Sequence, residues 1–187
     1  MLLPSAGLKV SAGSTSQSFT TAAAQLTCFS ASGNTAAGAF QYGANLEGDP
    51  AVIPDAANNR IKLNCPGIYL VWCTCSIGVA GSSAGAGDYL LQVRKNVAGT
   101  MTLQPELSAE VTMGTAASKG NLSLQGILKT VASDSPGTLA LFADPSGTFS
   151  GGGGFPKTLT WIDLIVTASG SIAATVEYIN FGATRIE

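Results

Sequence analysis

The chain has no histidine, and it carries only 9 basic and 11 acidic residues in 187. Without histidine there is no Ser-His or Cys-His nucleophile pair and no imidazole-ligated metal centre. Charged residues make up 11% of the chain, about half the usual share, and the net charge of −2 comes with no basic run. A nucleic-acid partner needs a phosphate-neutralising patch, so none is expected. No segment approaches the roughly 18 consecutive apolar residues that cross a bilayer, and no membrane partner is expected. Met1-Leu2-Leu3-Pro4 has neither a basic start nor a long apolar stretch behind it, so an export leader is not expected. Helical periodicity is missing over any three turns.

Four cysteines are present, at positions 28, 65, 73 and 75. Cys73 and Cys75 share one face of a predicted strand at roughly 7 Å, too far for a relaxed disulfide. Buried free thiols are the expectation. Cys73-Thr74-Cys75 has no second ligand pair in register, which makes it a poor zinc site. The acidic residues are spread too thinly to suggest the carboxylate pair of a glycosidase, about 5–10 Å apart. The four glycines from Gly151 to Gly154 lack the strand before and helix after that a phosphate cradle requires. No catalytic residue, cofactor or metal is predicted, and the chain is not expected to be an enzyme.

What the sequence has in plenty is apolar and small residues: 45% hydrophobic, with 23 glycines. Low hydrophobicity and high charge mark disorder, so this composition argues for a packed chain, and the length suits one domain. The segment Gly67-Ile68-Tyr69-Leu70-Val71-Trp72-Cys73-Thr74-Cys75 is apolar on both of its strand faces. A half-buried strand alternates apolar with polar, so one face here can fill a core and the other needs a cover. The expected cover is another copy of the same chain. Leu159, Trp161, Ile162, Leu164, Ile165 and Val166 repeat the pattern more weakly.

Other strands read as one-sided. Ile61 and Leu63 face inward in one. Tyr89, Leu91 and Val93 share a face in another, and Leu122, Leu124 and Leu128 in a third. Strands are also predicted at 24–29, 106–113 and 138–142, and an alternation through Ile172, Ala174, Val176 and Tyr178 closes the chain. Eight to ten short strands with Gly, Pro and Asn turns imply an all-β sandwich of two antiparallel sheets. The boundaries predicted are an N-terminal arm at 1–20, a sandwich domain at 21–168 and a C-terminal extension at 169–187.

The order Asn59-Arg60-Ile61, Pro66-Gly67-Ile68-Tyr69-Leu70-Val71, Tyr89-x-Leu91-x-Val93-Arg94-Lys95-Asn96 and Asn121-Leu122-Ser123-Leu124-x-Gly126-Ile127-Leu128 resembles a known pattern. It is similar to the trimeric jelly roll of the tumour-necrosis-factor and complement-globular-head superfamily, over roughly 24–168. The segment 132–137 is longer than the Ala-Gly-Asp turn usual there. The resemblance implies a homotrimer in which Leu70 and Trp72 face the threefold axis and Tyr69 and Val71 the sandwich core. Ser123, Gln125 and Ile127 would present a more polar strand to the axis. Trp161, from the second apolar run, is grouped with this trimer interface.

Within that superfamily, a short, low-charge, histidine-free trimer resembles a bacteriophage capsid decoration (cement) protein or head fibre. The expectation is a virion protein on the capsid surface, made in the host cytoplasm, with the major capsid protein as partner and the terminal segments as clamps. Two alternatives stay open: the receptor-binding tip of a head or tail fibre, and a secreted complement-globular-head-like ligand-binding module.

Overall fold

The computed structural model describes residues 3–11, 16–30, 37–42, 51–78, 87–114, 119–131, 160–170 and 172–187. These residues form strands β1 (Ser5–Val10), β2 (Ser16–Phe19), β3 (Ala24–Gln25), β4 (Ala37–Tyr42), β5 (Val52–Asp55), β6 (Arg60–Leu63), β7 (Gly67–Gly78), β8 (Gly87–Val97), β9 (Thr100–Met113), β10 (Lys119–Thr130), β11 (Thr160–Ala168) and β12 (Ile172–Arg185). The order in the first sheet is β10-β7-β12-β1-β4, with β2 also on β12. The second sheet runs β5-β6-β11-β8-β9, with β3 on β11. Every pairing is antiparallel. Apart from the sequence-adjacent pairs β5-β6 and β8-β9, neighbours in each sheet come from distant parts of the sequence, as in a jelly roll.

The core lies between the sheets, and alternation decides which residues enter it. Tyr69, Val71, Cys73, Cys75 and Ile77 of β7 point inward, as do Tyr89, Leu91 and Val93 of β8 and Leu122, Leu124 and Leu128 of β10. Ile61 and Leu63 of β6 join them. The inward faces predicted for these four strands are the ones observed, and all four cysteines are buried and none is in a disulfide. The Tyr69 hydroxyl donates to the Cys65 carbonyl, so its one polar atom is satisfied inside the core.

Within the predicted arm and extension the described residues include three strands, β1, β2 and β12, all in the first sheet. β1 lies between β12 and β4, with Ala6, Leu8 and Val10 fully buried. β12 lies between β7 and β1 and buries Val176, Ile179, Phe181 and Ala183. The chain ends against β7, where Ile68 N–H donates to the Glu187 carbonyl at 2.8 Å and Ile186 N–H to the Ile68 carbonyl at 2.8 Å. Of the segments expected to clamp a neighbour, β1 and β12 thus pair on both sides within the first sheet, whereas β2 pairs only with β12.

Smaller departures have local causes. The strand predicted at 24–29 is only Ala24–Gln25. Beyond it, the buried Asn59 side chain accepts from the Phe29 and Ser30 N–H groups at 3.0 and 2.9 Å, which folds that segment into a turn. A bulge in β12 between Val176 and Tyr178 switches faces. Tyr178 is therefore 43% exposed, although simple alternation placed it with the buried Val176. The predicted strand at 138–142 and the glycine run at 151–154 lie outside the described residues.

Candidate assembly face and the opposite charged face

The outer face of the first sheet is built in cross-strand rows. One row runs Tyr42, Ser5, Thr184, Leu70, Ile127 across β4, β1, β12, β7 and β10. The next runs Phe40, Gly7, Gly182, Trp72, Gln125. In this second row the two aromatic side chains lie over the two glycines. A Cβ on Gly7 would stand 2.5 Å from the Phe40 ring, and one on Gly182 would collide with the Trp72 indole. Glycine at these points lets large rings lie flat on the sheet. Neither row carries a charge, while Tyr42 is 59% and Ile127 51% exposed.

Further along the same strands the face turns polar. Lys9, Asn180, Thr74 and Ser123 form the third row, and Tyr178, Ser76 and Asn121 the fourth. A shallow concavity of about 250 Å³ lies there among Thr74, Ser76, Asn121, Ser123 and Tyr178. Asn180 Oδ1 is buried with no hydrogen-bond partner among the described residues.

Leu70, Trp72, Ser123, Gln125 and Ile127, grouped from the sequence, are brought together on this face by β7 and β10. Trp161 is not. Its neighbours Ile162, Leu164 and Val166 point into the core, which puts Trp161 on the outer face of the second sheet, across the sandwich. Grouping Trp161 with the other five is therefore corrected. Its apolar surface is met within its own chain by the Arg60 guanidinium, 5.1 Å from the ring centroid. Phe40, Tyr42, Gly7 and Gly182 were missed, although isolated glycines inside strands do signal close approach by a side chain.

The outer face of the second sheet carries charge instead. At one level Asp55, Arg60, Asp163 and Arg94 follow one another across β5, β6, β11 and β8, alternating in sign. Arg94 Nε and Nη2 donate to Asp163 Oδ1 and Oδ2 at 3.0 and 2.6 Å, and the Asp163 side chain is wholly buried. Burial pushes the Asp163 carboxyl above its usual range, with the Arg94 hydrogen bonds working against that push. Arg60 Nε donates to Asp55 Oδ2 at 2.8 Å, and Lys62 Nζ lies 3.2 Å from the same oxygen. Burial would raise Asp55 too, but hydrogen bonds from Arg60, Asn58 and Lys62 outweigh it and hold the group at about 2. These two carboxylates are thus committed to ion pairs. Among the described residues there is no cluster of three or more side chains able to hold a metal ion.

By sequence, no family description and no curated protein matches the chain. By structure, the chain is a tumour-necrosis-factor-like jelly roll, as the strand order predicted. Murine APRIL, in a crystal structure at pH 8.0, superposes with a TM-score of 0.51 at 7% identity, over 98% of this chain and 99% of that one. Eiger TNF from S. frugiperda gives 0.53 at 8% identity, over 100% and 94%. At such identities the likeness is one of fold.

Proposed function

We propose that the chain is a structural, non-catalytic protomer of a homotrimer, assembled through the outer face of the first sheet. The observation that carries this reading is the uncharged pair of rows holding Tyr42, Leu70 and Ile127, then Phe40 and Trp72. Fully burying one such side chain is worth about 1.5–3 kcal/mol, and roughly half of that remains to be gained at a half-exposed position. Summed over the face and three protomers, that gain can exceed the cost of association. The unpartnered Asn180 acceptor on the same face supports the same cover. Mass measurement by light scattering tests the assembly, and a stable monomer at micromolar concentration would refute it.

Within that reading the trimer is a capsid decoration protein on the surface of a phage head, bound to the major capsid protein. Low charge, abundant small residues and a face suited to burial support a load-bearing shell component. Incubating the purified trimer with undecorated heads and sedimenting them tests this step, and absence from the pellet would refute it. A second reading, the receptor-binding tip of a fibre, is favoured by one observation: the polar concavity beside Trp161 on the second sheet.

A further inference from the structure

The outer face of the second sheet holds a concavity of about 400 Å³, lined by Arg60, Lys62, Asn64, Asn96, Gly99 and Trp161 among others. That volume falls at the small end of ordinary ligand sites. The concavity lies across the sandwich from the apolar rows, so assembly through those rows leaves it open.

We propose that this concavity binds a saccharide bearing one carboxylate, such as a uronic acid. Three features set that class. The first is charge: Arg60 and Lys62 share a single carboxylate, Asp55, while Arg94 and Asp163 cancel, which leaves one positive charge at the site among the described residues. One negative charge on the ligand balances it, whereas a nucleotide or a polyphosphate brings more. The second is the indole. Arg60 covers one side of the Trp161 ring, and the rest of the ring can meet the apolar C–H face of a pyranose. The third is a fixed polar wall. Asn96 is almost fully buried, and its Oδ1 accepts from Gly99 N–H at 3.0 Å. That bond ties the amide to the tight turn at Ala98 and Gly99, whose φ angles are 49° and 97°. The amide is thereby oriented before a sugar hydroxyl arrives, which lowers the cost of binding.

Lys62 is the arm that reaches the carboxylate. Its side chain is 42% exposed, and exposed pairs such as the one with Asp55 hold weakly, so it can turn to the ligand. The inference is independent of the capsid reading, since it needs only the folded chain.

The test uses the whole isotope-labelled protein, titrated separately with glucuronate, glucose and inorganic phosphate. The chain has two tryptophans, so replacing either with Phe assigns the indole N–H signals. Glucuronate should shift the Trp161 signal saturably and leave Trp72 still. Glucose should bind at least about tenfold more weakly, and phosphate should not move the Trp161 signal. Lys62→Gln should reduce glucuronate binding to the glucose level with an unchanged melting temperature. Lack of a saturable shift with glucuronate, equal affinity for glucose, or indifference to Lys62→Gln would each overturn the proposal. A phosphate response as large as that of glucuronate would also overturn it, by revealing a bare anion site.

Discussion

At one level of the second sheet the outward side chains run Asp55, Arg60, Asp163, Arg94. On the first sheet a comparable level runs Phe40, Gly7, Gly182, Trp72, Gln125. Both faces cap the same core, yet at these levels one pairs its charges within the chain and the other leaves apolar surface open; on the second sheet the large exposed apolar side chains among the described residues are Met101 and Leu103 of β9, each 50% exposed. The four charges at that level of the second sheet sit in bidentate or shared pairs. The Phe40 and Trp72 rings lie over a glycine floor, Phe40 also against the Tyr42 ring, and their upper sides still meet water. A face finished internally can stay wet, and a face finished on one side only is prepared for another surface.

The severest way to break the contrast is to remove residues 2–17. This deletes β1 from the middle of the first sheet, with the buried Ala6, Leu8 and Val10. The truncated chain should not fold, and near-ultraviolet circular dichroism should show no cooperative transition. A folded truncated trimer would mean that β1 is dispensable after all.

Trp72→Asp attacks the open face alone. A carboxylate there would enter a desolvated interface without a partner. Size-exclusion chromatography with light scattering should report a folded monomer. A normal trimer would move the interface off this sheet.

Arg94→Met attacks the closed face. It leaves Asp163 buried without its counter-charge and should cost about 3–5 kcal/mol in urea unfolding, with the oligomer otherwise intact. A loss below about 1 kcal/mol would show that Asp163 finds another partner or takes up a proton.

Gly182→Ala is gentler. The added methyl collides with the Trp72 indole and lifts it from the sheet, for about 1–3 kcal/mol of overpacking strain. Tryptophan fluorescence should shift and the trimer should loosen. Unaltered spectra and stability would mean that the ring sits elsewhere.

The smallest effect is acidic. Asp55 titrates at about 2 in the folded chain, below the value of about 3.9 usual in an unfolded one. The folded state therefore keeps its charge while the unfolded state takes up a proton. Stability from this group is full above about pH 4 and is lost as pH falls through about 2. Asp55→Asn should flatten that part of the stability profile, and an unchanged acid limb would assign it to other carboxylates.

How much of this could be read beforehand follows from where each signal lives. The choice of Tyr69 and Val71 as the inward side of β7 comes from the likeness to the trimeric jelly roll, while the two-faced pattern of that strand is local and could be read directly. The inward sets of β6, β8 and β10 were legible for the same reason. β1 was not, and neither was the central place of β12, because the packing between these two strands depends on small residues. Gly7 and Gly182 take their meaning from Phe40 and Trp72, which lie far off in sequence. Ala6 and Ala183, which face each other across the two strands, give little hydrophobic contrast. Trp161 misled for a related reason: its cover is Arg60, a long-range cation whose own sequence context marks only a surface strand. The bulge after Val176 shifted a correct alternation by one residue, and nothing in the local composition announces it.

The four buried thiols give the molecule a built-in clock. Cys73 and Cys75 lie on the inner side of β7, directly behind Trp72, and Cys28 packs in the same core. Burial raises the pKa of all three, Cys28 to about 12, so in the closed structure they exist as unreactive thiols. A maleimide in solution can modify them only when the sandwich opens, and the rate of labelling counts those openings. Because the same strand carries the proposed assembly face outside and the thiols inside, labelling the chain at falling concentrations would time how far self-association slows the parting of the sheets.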